Sequence, residues 1–316
     1  MKTVDLNPRY SFDPFRRVSK LAEILKEPEN VLRRLGSHSE EYYRRVPIVT
    51  KGKLRETWDA KPPLKAVQAR IRSKLLKQVE YPPYLLGGLP RRDYVSNARL
   101  HSGKRTVIVA DIQGFFPSTP VTAIKNIWGG LFHFPESITD ILTGLTTLGG
   151  VLPQGAKTSS YLANLVFWDR EPKLVAELQE DSIVYSRYID DITISSQNDI
   201  DDQMISHVTK RIVEMLSRWG MCLKRAKTRV ARSGSQMMAT GLIVNRGVGL
   251  PHQKRSQVRA HVRELERMHE LGEATYSCAY YALEWQRANG RAHNLALFHA
   301  TQGTALLHRL AKIRPT

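Results

Sequence analysis

The spacing of apolar residues predicts helices at both ends of the chain. Residues 14 to 45 contain apolar positions at helical spacing, divided into short helices by Pro28 and Gly36. The segment from 62 to 79 repeats this spacing, with basic residues between the apolar ones. From about His252 to the end the pattern is helical throughout. The pattern thus predicts helical segments before and after a central region that lacks this spacing.

Apolar runs in the central region predict strands. "VPIVTKGKLRETW" indicates two strands around the turn Lys51–Gly52–Lys53, and "RTVIVADIQGFF" indicates a buried strand that ends at Asp111. A hairpin surrounds Asp190, and "MCLKRAKTRVA" and "MMATGLIVN" are also strand-like. Helices and strands alternate without a regular βαβ period. This favours an α+β fold with an antiparallel sheet.

Charge and composition narrow the class of partner. The 316 residues include 48 Lys and Arg against 30 Asp and Glu, which gives a net charge of +18. Such an excess favours a polyanion, above all nucleic acid, with an anionic membrane surface as the weaker alternative. No run of 18 apolar residues occurs, and the N-terminal residues lack the apolar core of a signal peptide. We therefore expect a cytoplasmic protein with no membrane partner, in which Cys222 and Cys278 are free thiols.

Two adjacent aspartates interrupt the strands of "RYIDDITIS", residues 187 to 195. Acidic residues are poor strand formers, and like charges side by side are unfavourable unless something compensates them. A β-hairpin turn is the structural alternative for Asp190–Asp191. A second pair, Asp201–Asp202, opens an amphipathic segment, where acidic residues suit a helix N-terminus. Only the first pair calls for a chemical explanation.

A third aspartate gives that explanation. Asp111 ends a buried strand, where a strand-end role would be its structural alternative, and helices between it and Asp190 could bring the two together. Three clustered carboxylates repel unless a divalent cation holds them, and oxygen ligands favour Mg²⁺ or Mn²⁺. Two such ions form the kind of site that displaces an oxygen from phosphorus. The three aspartates together favour catalysis.

Five motifs carry a resemblance to a known family. "YIDD" (188 to 191) resembles the YxDD box of reverse transcriptases, "VADIQGFFPS" (109 to 118) their first aspartate motif, and "LPQGAKTSS" (152 to 160) their LPQG loop. "NARLH" (97 to 101) resembles the NAxxH signature of bacterial retron reverse transcriptases, and "ATG" (239 to 241) their VTG triplet. Order and spacing match over about residues 40 to 245. The sequence departs from the family at Ile189, Ser160 and Ala239.

The resemblance implies a right-hand polymerase of class α+β. Residues 1–105 would form N-terminal helices and fingers, with about 125–165 also in the fingers. Residues 106–249 would form the palm, an antiparallel sheet packed on helices. Residues 250–316 would form a helical thumb that binds RNA.

The resemblance also implies roles for individual residues. Two Mg²⁺ ions, for which Mn²⁺ could substitute, would be held by Asp111, Asp190, Asp191 and the main-chain carbonyl of Ile112. Lys227 would protonate the departing pyrophosphate. Phe116 would stack under the sugar and reject a ribose 2′-OH, unless it is simply part of the core. The other residues expected to bind the incoming dNTP are Lys51, Lys53, Arg55, Gln154 and Gly155.

RNA contacts are expected in two places. Asn97 and His101 belong to the retron-specific element and would have architectural or RNA-contacting roles. Arg255, Arg259, Arg263 and Arg267 recur every fourth residue beside an apolar stripe at Val258, Val262 and Leu265. Such a row suits phosphate contacts without base readout. The alternative is a solvated face neutralised by nearby glutamates.

The function implied is the copying of a dedicated structured non-coding RNA, both template and primer, into DNA. Initiation from an internal guanosine 2′-OH would give branched RNA-linked DNA, in phage defence with an effector protein. The rivals are a reverse transcriptase of another bacterial lineage (intron-, diversity- or CRISPR-associated), a non-catalytic RNA-binding scaffold, and a metal-dependent nuclease. The short chain and NARLH favour the retron type, the intact aspartates argue against a scaffold, and the LPQG loop and Phe116 argue against a nuclease.

Overall fold

The structure, a computed structural model, describes residues 5 to 50, 52 to 272 and 278 to 315. Its N-terminal part is mainly helical and carries one long hairpin. The elements are β1 (Arg9–Tyr10), α1 (Val18–Leu25), α2 (Glu29–Ser37), β2 (Tyr43–Thr50), β3 (Lys53–Ala60), α3 (Pro62–Lys74), β4 (Val79–Glu80) and α4 (Tyr94–Leu100).

The central part contains the main sheet and the helices that cover it. Its elements are β5 (Thr106–Asp111), α5 (Phe115–Ser118), α6 (Val121–Asn126), a π-helical turn (Ile127–Leu131), α7 (Glu136–Thr146), α8 (Ser159–Leu165), α9 (Glu171–Glu180), β6 (Ile183–Tyr188), β7 (Asp191–Ser196), α10 (Asp202–Ser217), β8 (Arg229–Arg232), β9 (Met238–Ala239) and β10 (Leu242–Ile243). The helices α11 (His252–Glu270), α12 (Cys278–Phe298) and α13 (Ala300–Lys312) follow.

The main sheet has four antiparallel strands in the order β6-β7-β5-β8. Nearly every residue of β5 is buried, because helices and neighbouring segments cover both faces of this central strand. The register places Asp111 opposite Asp191, at one end of the sheet. The prediction of an α+β fold with an antiparallel sheet is confirmed.

The hairpin β2–β3 departs from the sequence prediction at its start. The pattern of "SEEYYRRV" predicts a helix, but only Ser39–Tyr42 forms a 3-10 turn, and β2 begins at Tyr43. The reason is pairing at a distance, since Tyr43 lies opposite Ala60 in an unbroken register. Similarly, the strand-like "MCLKRAKTRVA" forms a strand only over Arg229–Arg232.

The C-terminal helices take part in a second apolar cluster, the C-terminal core, which also includes Ala98 of α4 and Val107 of β5. Val258, Val262 and Leu265 of α11 are all buried and pack in a cluster with residues of β9, β10, α12 and α13. The helices α12 and α13 pack so closely that a Cβ on Gly303 would lie 2.3 Å from the Cα of Ala296. Within the described ranges, no helix has both the length and the apolar character needed to cross a bilayer.

Candidate active site

Three aspartates meet at the end of the central sheet. Asp111 is the last residue of β5 and Asp191 is the first of β7, and the two are cross-strand partners. Asp190 lies in the two-residue turn between β6 and β7, and its carbonyl accepts a 2.9 Å hydrogen bond from the N–H of Ile112. The sheet therefore fixes the backbones of all three aspartates relative to one another.

The electrostatics of this cluster favour a bound cation. Burial, followed by the charges of Asp190 and Asp111, raises the pKa of Asp191 to about 6. Burial and the charge of Asp111 also raise the pKa of Asp190, while Lys227 and Arg55 lower it. Each raised pKa means that the local environment disfavours the carboxylate form. A positive charge among these oxygens would relieve that penalty.

Lys227 supplies one such charge. It closes a 3-10 turn over Arg225–Lys227, and its Nζ donates a hydrogen bond to Oδ2 of Asp111. The turn is held beside the sheet by the N–H of Lys224, which donates to the Asp111 carbonyl at 2.8 Å. The structure thus brings the predicted proton donor into direct contact with a predicted metal ligand.

The donor set fits a sparsely ligated Mg²⁺ ion. In the described part of the chain, no three His, Cys, Asp or Glu side chains converge closely enough to enclose a metal by themselves. Mg²⁺ does not require such a cage, because it is held by one or two carboxylates and completes its shell with water and substrate phosphate. Asp111 and Asp191, facing each other across the register with Asp190 adjacent, are hard oxygen donors of this kind.

The turn that carries Asp190 is strained. Ile189 has φ +61, a left-handed conformation that a β-branched residue rarely adopts. The turn packs against two glycines: a Cβ on Gly87 would lie 2.6 Å from the nitrogen of Ile189. A Cβ on Gly88 would lie 2.8 Å from Cβ of Ser160 and 3.5 Å from Cδ1 of Ile189. Two of the departures from the family, Ile189 and Ser160, therefore border the same glycine.

The LPQG loop is fastened to the β2–β3 hairpin. The carbonyl of Gln154 accepts a hydrogen bond from the N–H of Trp58 at 2.8 Å. Gly155 has φ +109, and a Cβ there would lie 2.7 Å from the Trp58 carbonyl, so the position requires glycine. Arg55, three residues before Trp58 on β3, is exposed, and its charge reaches Asp190. The structure therefore joins the loop that carries Gln154 and Gly155 to the strand that carries Arg55.

The structure shows fewer contacts for the other residues predicted to bind the incoming dNTP. Phe116 is half-buried and packs edge-on against Phe115, at a ring distance of 5.7 Å. It packs against the main apolar core and stays partly open to solvent. Lys53 begins β3 as the partner of Thr50, and Lys51 lies outside the described residues.

Asn97 and His101 are fully buried, which corrects the expectation of RNA contact by their side chains. His101 lies 2.7 Å from Oγ of Ser195 through Nδ1 and 2.7 Å from Oγ of Ser186 through Nε2. Ser186 donates its hydroxyl to Oδ1 of Asn97 at 2.6 Å, so its oxygen must accept from Nε2–H of His101. These bonds tie α4 to β6 and β7. Geometry supports the architectural alternative.

The ATG triplet lies beside this element. Thr240 donates its hydroxyl to the carbonyl of Tyr94, the first residue of α4, at 2.7 Å. Ala239 is buried in the C-terminal core, so its replacement of the family's Val concerns packing. The ATG triplet is thus hydrogen-bonded to the helix that carries the NARLH motif.

The arginine row of α11 is not uniform. Arg263 and Arg267 are exposed, and Arg267 pairs with Glu264 at 2.7 Å. Arg259 is half-buried and donates to Ser256, and the Nε of Arg255 is buried. The row drifts around the helix toward the protein, so it is mainly the C-terminal half that presents charge to solvent.

Sequence reasoning missed a buried ion pair beside the turn that carries Asp190. Arg187 and Glu171 are almost completely inaccessible and lie 2.6 Å apart. The signal was present, since Arg187 is a charged residue in an otherwise uncharged strand, three positions before Asp190. Its partner could not be inferred, because Glu171 opens a separate helix.

Comparisons with known proteins agree with this geometry. The family model for "Reverse transcriptase (RNA-dependent DNA polymerase)" matches residues 26–263. The Retron Se72 reverse transcriptase of Salmonella heidelberg is 31% identical over 324 residues, which cover 98% of this chain and 82% of the relative. The Retron Ec48 reverse transcriptase of Escherichia coli is 27% identical over 312 residues, 95% of this chain and 76% of the relative.

Among solved structures, the telomerase of Candida albicans in complex with a fragment of telomeric RNA has a TM-score of 0.45 and 9% identity, over 86% of this chain and 63% of that one. That likeness is too distant to carry an argument. The family model and the two retron enzymes show the family of this chain, because their matches cover most of its length. The chain belongs to the reverse transcriptase family, as an RNA-directed DNA polymerase of the retron type.

Proposed function

We propose that this reverse transcriptase copies part of a dedicated structured RNA by two-metal nucleotidyl transfer. The observation that carries the proposal is the pairing of Asp111 with Asp191 across β5 and β7, with Asp190 on the adjoining turn. Two divalent ions held there would activate the attacking hydroxyl and stabilise charge on the departing pyrophosphate. Mg²⁺ is the expected ion, and Mn²⁺ a substitute.

The chain's own residues would bind and orient the substrates. Lys227 lies at Asp111, where its ammonium group would give a proton to pyrophosphate. Arg55 would bind the triphosphate, because it is exposed and its charge reaches Asp190. The half-exposed ring of Phe116 would lie under the sugar of the dNTP and exclude a 2′-OH. The main chain at Gly155 would approach the nucleotide closely.

The subdivision into fingers, palm and thumb is part of the proposal. Residues 1–105 would form the N-terminal helices and the fingers, with about 125–165 also in the fingers. The palm, interleaved with the fingers, would be 106–249, and the thumb 250–316. The fastening of the LPQG loop to the β2–β3 hairpin supports a common finger unit. The packing of α11 to α13 on one another supports a C-terminal unit, and the apolar cluster that they share with Ala98 of α4 and Val107 of β5 would join that unit to the palm.

The retron kinship supports a specialised primer. We expect the partner RNA to serve as both template and primer, with synthesis starting from an internal guanosine 2′-OH to give branched RNA-linked DNA. A role in phage defence with an effector protein follows from the same resemblance. Sequencing nucleic acid that co-purifies with the protein tests this part: a DNA joined to RNA through a 2′–5′ bond supports it, and only linear products contradict it.

Replacement of two carboxylates tests the metal site. Asp190→Asn with Asp191→Asn should abolish dNTP incorporation, because the neutral amides do not hold the ions, while RNA affinity stays within about twofold of wild type. The control is Asp201→Asn with Asp202→Asn. Asp201 caps α10 through a 2.7 Å bond from the N–H of Met204, a role that Asn fills equally well. Full activity of the first double variant with Mg²⁺ would contradict the assignment.

A further inference from the structure

A buried arginine lies directly behind the catalytic turn. Arg187, on β6, is completely inaccessible, and so nearly is Glu171, the first residue of α9. Nε and Nη2 of Arg187 donate to the two oxygens of Glu171 at 2.6 and 2.7 Å. The hydroxyl of Tyr185 adds a third bond to Glu171 at 2.7 Å. This fork-on-carboxylate geometry compensates the cost of burying both charges.

The other N–H donors of Arg187 bind the turn between β6 and β7 and the adjacent helix α8. Nη1 donates to the carbonyl of Ile189 at 3.0 Å and to that of Ala163 at 3.1 Å. Nη2 donates to the carbonyl of Asn164 at 3.0 Å. With the two bonds to Glu171, all five N–H groups of the guanidinium have an acceptor. The arrangement requires arginine, since lysine has only three donors on one atom.

The bond to Ile189 has a specific consequence for Asp190. The carbonyl of Ile189 belongs to the peptide unit that leads into Asp190, and Ile189 itself is strained at φ +61. A strained residue persists only where surrounding contacts determine its conformation. Arg187 supplies such a contact through the carbonyl of Ile189, and Gly87 packs closely against the same residue.

The bonds to α8 connect the turn to the nucleotide loop. Ala163 and Asn164 belong to α8, which begins at Ser159, directly after the LPQG loop. Asn164 also donates to the carbonyl of Gly87 at 2.7 Å. One guanidinium therefore joins the catalytic turn to the helix that carries the loop.

We propose that Arg187 is a positioning residue that sets the distance and orientation of the Asp190 turn relative to the LPQG loop. The proposal rests on the metal-binding role of Asp190 in the proposed function. It predicts that weakening Arg187 impairs the metal site and the chemical step more than it impairs folding or RNA binding.

Arg187→Lys is the first test. It keeps the charge beside Glu171 but cannot fill all five acceptors, so the turn loses its fixed position. We expect kcat to fall about 10- to 100-fold and the half-saturating Mg²⁺ concentration to rise severalfold, with RNA affinity within about twofold of wild type. Arg70→Lys is the matched control. Arg70 donates to the Leu25 carbonyl and to Glu27, both at 2.8 Å, far along the chain from the carboxylates.

A second variant keeps the test valid if Arg187→Lys does not fold. Arg187→Met with Glu171→Leu replaces the ion pair by apolar side chains, a change that cores often tolerate. The double variant should fold and bind RNA, yet show the same loss of kcat and the same rise in the half-saturating Mg²⁺ concentration. Wild-type kcat and Mg²⁺ dependence in either folded variant would overturn the proposal. So would failure of both to fold, because the pair would then be a folding element only.

Asp190→Asn, measured in parallel, separates the two hypotheses. If Asp190→Asn retains activity, the metal assignment itself fails. If Asp190→Asn is inactive while folded Arg187→Lys behaves as wild type, only the positioning role fails.

Discussion

His101 makes the stability of the protein depend on pH in a way that can be calculated. Its side chain is fully buried between the hydroxyls of Ser186 and Ser195. Burial, followed by the positive charge of Lys104, lowers the pKa of His101 from 6.5 to about 3. The hydrogen bonds agree with a neutral ring, because Nε2–H donates to Ser186 and Nδ1 accepts from Ser195.

The direction of the pH dependence follows from the different pKa of His101 in the folded and unfolded states. The unfolded chain protonates His101 as the pH falls below 6.5, whereas the folded protein does so only near pH 3. Below 6.5 the unfolded state therefore binds more protons, and stability decreases with falling pH until about pH 3. Between pH 7 and pH 5 this single group should reduce the free energy of unfolding by about 2 kcal/mol, because about 1.5 pH units lie below the unfolded pKa.

The assay compares wild type with His101→Gln, both free of RNA, by urea unfolding at pH 7 and pH 5. Glutamine can bond to the same hydroxyls but does not titrate. The difference in the free energy of unfolding between wild type and the variant should be about 2 kcal/mol less favourable to wild type at pH 5 than at pH 7. All other titrating groups are common to both proteins and cancel. An advantage that changes by less than about 0.5 kcal/mol would refute the assignment of His101 as a buried neutral residue.

Two further predictions concern substrates. Phe116→Val should raise ribonucleotide incorporation relative to deoxyribonucleotide, because it removes the ring edge that meets a 2′-OH; unchanged discrimination in single-nucleotide kinetics would make Phe116 a core residue. Replacing Arg255, Arg259, Arg263 and Arg267 by Gln should weaken RNA binding. The slope of log affinity against log salt concentration should become shallower by about 0.7 to 0.9 for each phosphate that an arginine no longer neutralises. Because only Arg263 and Arg267 of this row are exposed, we expect Arg263→Gln with Arg267→Gln to give most of that change. Binding titrations at several salt concentrations decide it, with Arg33→Gln and Arg34→Gln on the exposed face of α2 as the equal-charge control.

Local features of the sequence determined much of the fold and the aspartate end of the candidate site. The apolar run before Asp111 predicts β5, and the structure ends that strand at the same residue. The sequence predicts Asp201 at a helix N-terminus, and it caps α10. The alternation around Asp190 predicts a hairpin, and β6 and β7 form one. Such features depend on residues close together in the chain, so the chain order alone reveals them.

Tertiary structure decided which polar residues face solvent and which face the interior. Asn97 and His101 form part of a recognisable motif, yet their side chains are buried because β6 and β7 supply serine partners far away in the chain. The arginines of α11 have equal spacing, but their exposure differs because the helix packs against its neighbours on one side.

The same applies to Arg187, whose five acceptors come from Glu171, Ala163, Asn164 and Ile189. These groups lie on two helices and a turn, and no local pattern specifies that they meet. The three aspartates could be predicted from sequence because each lies where a local strand or hairpin pattern ends or turns. The network that holds them in place could not, because the burial of a charge depends on three-dimensional packing around it.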